Sequence, residues 1–527
     1  MFKKILFILT ITLFALLSIS CIWAESNVTD EISLQTSASS DKNNLNTFSD
    51  LQNEIKTAED DSKLYLSGTY KYDKNSDKTL KNGVVINKDL TIIGKNGCTI
   101  DGSGLARCLR IKESCTVTLK NIVIKNGYTT TNGGGIKINS NSKVIIEKCK
   151  FYNNVAHNSN GGAIESKESC TLKISSSYFY NNKATHSGKL PWDSNKNGMG
   201  GAIKTSVGST LKIYDSTFKS NKAYLTTILV VSLSDSTRKT SSLYVKNCYF
   251  SKNKSQHNGV IYSDEYGKAK IEKSTFKKNY SPKGAGMIVL ESSKTGIVKN
   301  CKFYKNKGCN GAAINVKIYK SKDSSKVTIS NCKFSKNSAS MYGGAICSVG
   351  GKVTVKSCKF SYNTASIFGG AIYARLGTLH ISSSKFYKNK AKYAGAICLA
   401  CKKGSVKHSS ITKNKVYYLY SGIYNIKHNK VSKCHIKSNV NFKYSKIYLY
   451  KSGKYIKVKV TDNKDKTIKK HVKLTFKGNK KIKTKWHKTS DKKYIKIKIP
   501  KSVKGTYKVT MKVKKAKYFR KTINIKV

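Results

Sequence analysis

Gly343-Gly344-Ala345-Ile346, Phe360-Ser361-Tyr362-Asn363, Gly369-Gly370-Ala371-Ile372, Phe386-Tyr387-Lys388-Asn389: two short phrases alternate here, and they do so through about three hundred residues. Further clear copies of the first phrase are Gly161 to Ile164 and Gly200 to Ile203, with looser ones ending at Ile136, Ile261, Ile288, Ile314, Ile397 and Ile423 and a weak one at Ile228. The second phrase places Asn154, Asn182, Asn221, Asn253, Asn279, Asn306, Asn337, Asn363 and Asn389 three residues after a Phe, with Val123/Asn126, Ile411/Asn414 and Ile436/Asn439 as variants. Most successive asparagines lie 25 to 28 residues apart, a period that belongs to solenoids and not to helical heptads.

Inside each repeat the apolar period is two, as in Val144-x-Ile146, Val327-x-Ile329 and Val353-x-Val355, so the turns are built of short strands. The expected fold is all-β: a right-handed parallel β-helix of about 12 turns with three short strands per turn, a rod on the order of 55 Å long at about 4.8 Å per turn. The repeat Ile and Phe form apolar ladders in a narrow core. The glycines turn a sharp corner. The stacked asparagines bond turn backbone and one another, an expected structural ladder. Prolines are confined to Pro191, Pro282 and Pro500, as expected where strand N–H groups are needed.

Cys149, Cys248, Cys301, Cys332, Cys358 and Cys434 sit two residues before the repeat Phe or Ile, and Cys347 and Cys398 follow the repeat Ile. Two readings are open: small buried hydrophobes in a ladder, or disulfides between adjacent turns, which parallel Cβ vectors fit poorly. Cys398-x-x-Cys401 has no second Cys or His pair nearby, so no zinc site and no cofactor is expected.

Residues 1–24 read as an export signal, with Lys3 and Lys4 ahead of an apolar run from Ile5 to Ile22. Left uncut, the run is long enough for an N-terminal membrane anchor. The polar stretch 25–48 reads as a flexible leader. Residues 49–110 then hold a capping helix and the first turns: Ser49-x-x-Gln52 reads as a capping box for a helix through Glu59 bearing Leu51, Ile55 and Ala58. Such a helix covers the open end of a coil. The repeats fill 111–442. From 443 to 527 long strands alternate Lys with β-branched residues, which suggests a small immunoglobulin-like β-sandwich.

Irregular spacings place protruding loops at 186–197, with Trp192, at 234–241, with Arg238, and at 319–325. Loops on a rigid scaffold often carry recognition. Tyr342, Phe368 and Tyr393 share one position in three consecutive turns; facing solvent they would stack on sugars, facing inward they would be core at a wide corner, and the inward reading is preferred.

Lys plus Arg is 99 against 28 acids, a net charge of +71. Only five are Arg: Arg107, Arg110, Arg238, Arg375 and Arg520. Such a field attracts anionic polysaccharides or other cell-envelope polymers. The export signal and the scarcity of Arg argue against nucleic acid as the physiological partner. A lysine coat that keeps a β-rod soluble is the competing account.

Parallel β-helices also carry polysaccharide lyases and glycosidases, whose sites need clustered carboxylates. The best pair here is Asp264 with Glu291, but Lys317 holds the equivalent place in the next turn, which favours an ion-paired surface cluster. No catalytic residue and no metal ligand is expected.

The paired phrases resemble the repeats of the chlamydial polymorphic outer membrane proteins. The whole layout of signal, capping helix, β-helix and terminal module is similar to the adhesin-like surface proteins of methanogenic archaea. The run Ile92-Ile93-Gly94, Thr99-Ile100-Asp101-Gly102 and Val117 to Gly127 is similar to the way those archaeal coils begin. The resemblance implies an extracellular or surface-held protein that binds without catalysis. Unlike the chlamydial proteins, the chain shows no C-terminal translocator barrel. The alternatives are a lyase or glycoside hydrolase and a structural envelope component.

Overall fold

In the computed structural model the repeat strands stack in parallel register along four sheets. The structure describes residues 45–187, 198–230, 240–263, 267–291, 295–318, 326–416, 423–425, 430–437, 446–461, 471–478, 481–489, 494–503, 505–513 and 516–526. The stretch read as an export signal, most of the stretch read as a leader, Trp192, Arg238, Asp264, Asn439 and the 319–325 loop lie outside them.

A representative turn runs Ile136–Ile138, Lys143–Glu147, Lys150–Tyr152 and Val155–Ala156. These strands belong in turn to an Ile sheet of 13 strands, a Val sheet of 14, a Phe sheet of 15 and a corner sheet of 11. The turn therefore has four strands, where the sequence suggested three. The extra one is two residues long in most turns, too short to show a period of two. Ile228 pairs with Ile203 and Ile261, so the weak copy of the first phrase is in phase.

The core follows the ladders. The repeat Ile from Ile136 to Ile397 are fully buried. The nine repeat Phe from Phe151 to Phe386 stack with ring centroids 4.5–5.1 Å apart and interplanar angles of 2–16°. That spacing equals the strand separation, so backbone pairing and ring stacking reinforce each other.

The Gly-Gly corner divides its work. The first glycine takes positive φ, +59° at Gly343 and +67° at Gly369. The second has no room: a Cβ on Gly344 would lie 2.5 Å from the Thr364 carbonyl oxygen.

Each interior ladder asparagine, from Asn182 to Asn389, makes four side-chain bonds. Asn306 Nδ2 donates to Phe276 O of the preceding turn and to Asn337 Oδ1 of the next, while its Oδ1 accepts from Asn279 N and Nδ2. The pattern repeats from Asn154 to Asn389 at 2.9–3.1 Å between side chains, and Asn414 closes it on Phe386 O. Asn126 is out of phase. Ile124 pairs with Phe151, so Gly127 holds the ladder place and donates its N–H to Asn154 Oδ1; two adjacent branched residues, Val123 and Ile124, hid the register.

The cysteines before the repeat Phe are buried or half-buried, and no described cysteine is in a disulfide. They are more than hydrophobes. The column they share with Ser177, Ser216, Ser274, Ser384 and Ser409 follows a residue of positive φ, and both side chains cap the bend: Ser177 Oγ donates to Ser175 O at 2.8 Å and Cys149 Sγ to Glu147 O at 3.3 Å.

The first described elements are strand Leu45–Thr47 and helix Phe48–Thr57. The N-cap is Thr47 with Asp50, not Ser49 with Gln52. Ser49 bonds Asp77 instead, and Gln52 bonds both backbone groups of Val85 at 2.7 and 3.0 Å. Phe48, Leu51 and Ile55 are fully buried, so the helix covers the end of the core and ties off a strand edge.

Residues 446–526 form two antiparallel sheets with an apolar core that includes Ile456, Leu474, Phe476 and Val509. No helix among the described residues is long and apolar enough to cross a membrane.

Candidate polymer-binding face and buried charge row

Where the Phe sheet turns into the corner sheet, one bend residue per turn takes positive φ. In consecutive turns these are Lys252, Lys278, Lys305, Lys336, Tyr362, Lys388 and Lys413. The bend forces each side chain outward, so the column is an ordered row of six cations interrupted once, by Tyr362. Beside it Lys302, Lys333, Lys359 and Lys385 stand in register on four successive turns, all exposed. Rungs about 4.8 Å apart give this edge the spacing of a charged ruler.

Tyrosines interleave with the rows. Lys305 and Lys336 lie 5.2 and 5.8 Å from the Tyr304 ring, Lys388 lies 5.3 and 5.1 Å from Tyr362 and Tyr387, and Lys413 lies 5.7 Å from Tyr387. Lys305 foremost holds the Tyr304 phenol below its ordinary value, and Lys388 does the same for Tyr387. No carboxylate offsets this field nearby in sequence: Asp323 is the one acid between residues 292 and 442, and it lies outside the described residues.

Tyr342, Phe368 and Tyr393 do form a ladder, with ring centroids 6.2 and 5.0 Å apart and bridged backbones. They are half-buried and outside the main core cluster, which corrects the inward reading. Tyr373, on the outer side of the Ile sheet, stacks 4.8 Å from Tyr342. The result is a partly exposed aromatic wall rather than a core corner.

Glu291 is occupied. It accepts from the Tyr262 hydroxyl at 2.9 Å and lies 3.7 Å from the Lys317 ammonium. Its suggested partner Asp264 is outside the described residues. Among the described residues no group of three or more His, Cys, Asp or Glu is placed to hold a metal ion.

A second charged cluster went unread in the sequence. On the outer side of the Ile sheet, Arg110, Lys137, Glu165 and Lys204 share one register position in four consecutive turns. Glu165 is 2% exposed and its Oε1 takes the Lys204 ammonium at 3.1 Å. Arg107 lies buried alongside, its guanidinium spent on Gly133 O, Asn82 O and Asn132 O and the hydroxyls of Thr129 and Thr131. Burial, and next the Arg110 guanidinium, bring Arg107 down to about 10; burial, and next Arg107, lower Lys137. The signal available in the sequence was that two of its five arginines, Arg107 and Arg110, stand three residues apart.

None of the curated proteins compared with the chain matches it. Among solved structures it is similar to a mannuronic acid specific polysaccharide family 6 lyase enzyme from human gut microbiota, at 10% identity over 69% of this chain and 86% of that one, with a TM-score of 0.40. The model of the right-handed β-helix region matches residues 67–229, 107–294 and 258–464. With more than half of its length matched, the chain belongs to the right-handed β-helix family.

Proposed function

We propose that the protein is an extracellular, adhesin-like β-helix that binds anionic surface polymers, cell-envelope or host glycans, without cleaving them. The observation that carries this is the Lys and Tyr edge between the Phe and corner sheets. Repeated cations at a fixed rung spacing suit a linear polyanion, because each polymer charge meets the same environment one turn further on. The exposed Tyr362 ring and the half-buried Tyr304 and Tyr387 rings beside them offer faces for sugar rings. The non-catalytic reading rests on Glu291, whose carboxylate is engaged by Tyr262 and Lys317. The adhesin assignment draws on the resemblance to archaeal adhesin-like proteins, with surface retention through the N-terminal apolar run.

The test compares residues 25–527 with two variants on acidic and neutral polysaccharides at physiological salt. One carries K305Q, K336Q, K388Q and K413Q; the other removes the same charge from the Val sheet through K268Q, K326Q, K352Q and K403Q. Acidic polymer should bind the unmodified chain and the Val-sheet variant alike, and the edge variant at least tenfold more weakly. Equal weakening in both variants would reduce the binding to a generic lysine coat. Shortened polysaccharide would replace the proposal with an enzyme.

A further inference from the structure

We infer that the row Arg110, Lys137, Glu165 and Lys204 is a binding site for a sugar acid, a residue that carries both a carboxylate and hydroxyl groups. The inference names the kind of glycan unit recognised and rests on the glycan reading above, but it lies on a different sheet from the lysine edge.

The fold does not require charge at this position. From Leu229 onward the same register carries Leu229, Tyr262, Val289, Asn315, Cys347, Tyr373 and Cys398: Leu229, Val289, Cys347 and Cys398 are buried, Asn315 is buried and polar, Tyr262 and Tyr373 are half-buried, and none is charged. Uncharged side chains serve there, so the charges at the head of the sheet are a departure from the repeat. They are also unbalanced: Glu165 is the one carboxylate in the row, and it is engaged by Lys204. Arg110 and Lys137 face each other on adjacent rungs, and like charges so placed repel.

Two buried atoms define what the site takes. Arg110 Nε, a donor, and Glu165 Oε2, an acceptor, have no hydrogen-bond partner. Asn139 Oδ1, two residues beyond Lys137, is a further buried acceptor without one. Leaving such groups unmatched costs about 1–3 kcal/mol each. A bare oxyanion would satisfy Arg110 and the surplus charge but repel Glu165. A neutral sugar would satisfy the acceptors and leave the charge. A sugar acid does both, its carboxylate toward Arg110 and Lys137 and its hydroxyls toward Glu165 and Asn139. Arg110, Lys137 and Lys204 are half-buried, so their long side chains reach solvent and can shift to admit a ligand.

Calorimetric titration of residues 25–527 with glucuronate, glucose and inorganic sulfate tests this. Glucuronate should bind with one site and at least tenfold more tightly than either of the others. R110Q should abolish that binding, and E165Q should lower it to the level of sulfate. The lysine-edge variant should leave it unchanged, so loss of polymer binding in that variant and loss of glucuronate binding here fail separately. Should R110Q or E165Q not fold, the unmodified chain still decides: glucuronate should protect Lys137 from acetylation, read by mass spectrometry, while sulfate should not. Absence of saturable glucuronate binding, equal affinity for sulfate, or unprotected Lys137 would overturn the inference.

Discussion

Replacing Asn306 by Ala removes one rung from the middle of the asparagine ladder, and the loss can be worked from its four bonds. Asn279 N loses the acceptor 3.0 Å away and is left as a buried donor. Phe276 O and Asn337 Oδ1 each lose a donor, at 2.9 and 3.0 Å, and Asn279 Nδ2 loses one of its two acceptors. One orphaned donor at about 1–3 kcal/mol and three further net bonds near 1 kcal/mol each give a destabilisation of about 4–6 kcal/mol. Because turns contact only their neighbours, the damage is local, so the rod weakens at that turn and keeps its fold elsewhere. Asn306→Asp should cost more at neutral pH: its carboxylate sets acceptors against Phe276 O and Asn337 Oδ1 in a dry site, and protonation in acid should recover part of the loss. Urea unfolding, with hydrogen exchange followed over residues 279–337, measures both, with Ser361→Ala on the outer face of the Phe sheet as a control near 0.5 kcal/mol or less. A cost below about 1 kcal/mol for Asn306→Ala, or Asn306→Asp no worse than Asn306→Ala at pH 7, would refute the ladder's energetic role.

The thiols give a second expectation. Cys309 and Cys434 are half-buried and the other described cysteines are buried, and burial pushes thiols such as Cys98 and Cys149 up to about 12; a thiol reagent should label Cys309 and Cys434 first and the rest only on unfolding, and fast labelling of the buried set would contradict the packing. His257 supplies a pH dependence. Burial foremost, then Lys283 and Lys317, lowers its pKa from 6.5, so the unfolded chain binds the proton more readily than the folded one. Its contribution is complete above about pH 7 and is lost as pH falls below 6.5. Melting temperature should drop from pH 7.5 to 5.5, less steeply in His257→Gln; identical slopes would remove His257 from the account.

The ladders were legible because a repeat prints the same physical demand many times. A fully buried Phe that must stack at the strand spacing, and an Asn that must bond above and below, leave few substitutes, so their spacing alone gave parallel coiling and most of the register. What failed to show was whatever the repeat does not constrain strongly. Val155–Ala156 is too short to alternate, which hid the fourth strand. Either Val123 or Ile124 fills an apolar place, which shifted Asn126 by one. Ser49 looks like a helix cap, but its hydroxyl serves Asp77, a contact 28 residues away that no local pattern contains.

The same logic explains why the candidate sites were harder to find than the fold. The lysine edge lies on bend positions of positive φ, where Lys252, Lys278 and Lys305 replace the Asn153 and Asn181 of earlier turns. Asparagine suits that conformation better than lysine, so the substitution, repeated turn after turn, gives up local backbone preference for outward charge. The Arg110 to Lys204 row departs in the opposite sense, placing charge where Leu229 and Val289 show that an apolar side chain packs. A repeat scaffold makes such departures readable only after the register is known, since each is defined by what its neighbours above and below carry. In this chain both kinds of departure bring together more cations than carboxylates: the lysine edge has none beside it in sequence, and in the Ile-sheet row Glu165 pairs Lys204 and leaves Arg110 and Lys137. That is the physical ground for expecting an anionic ligand at each of them.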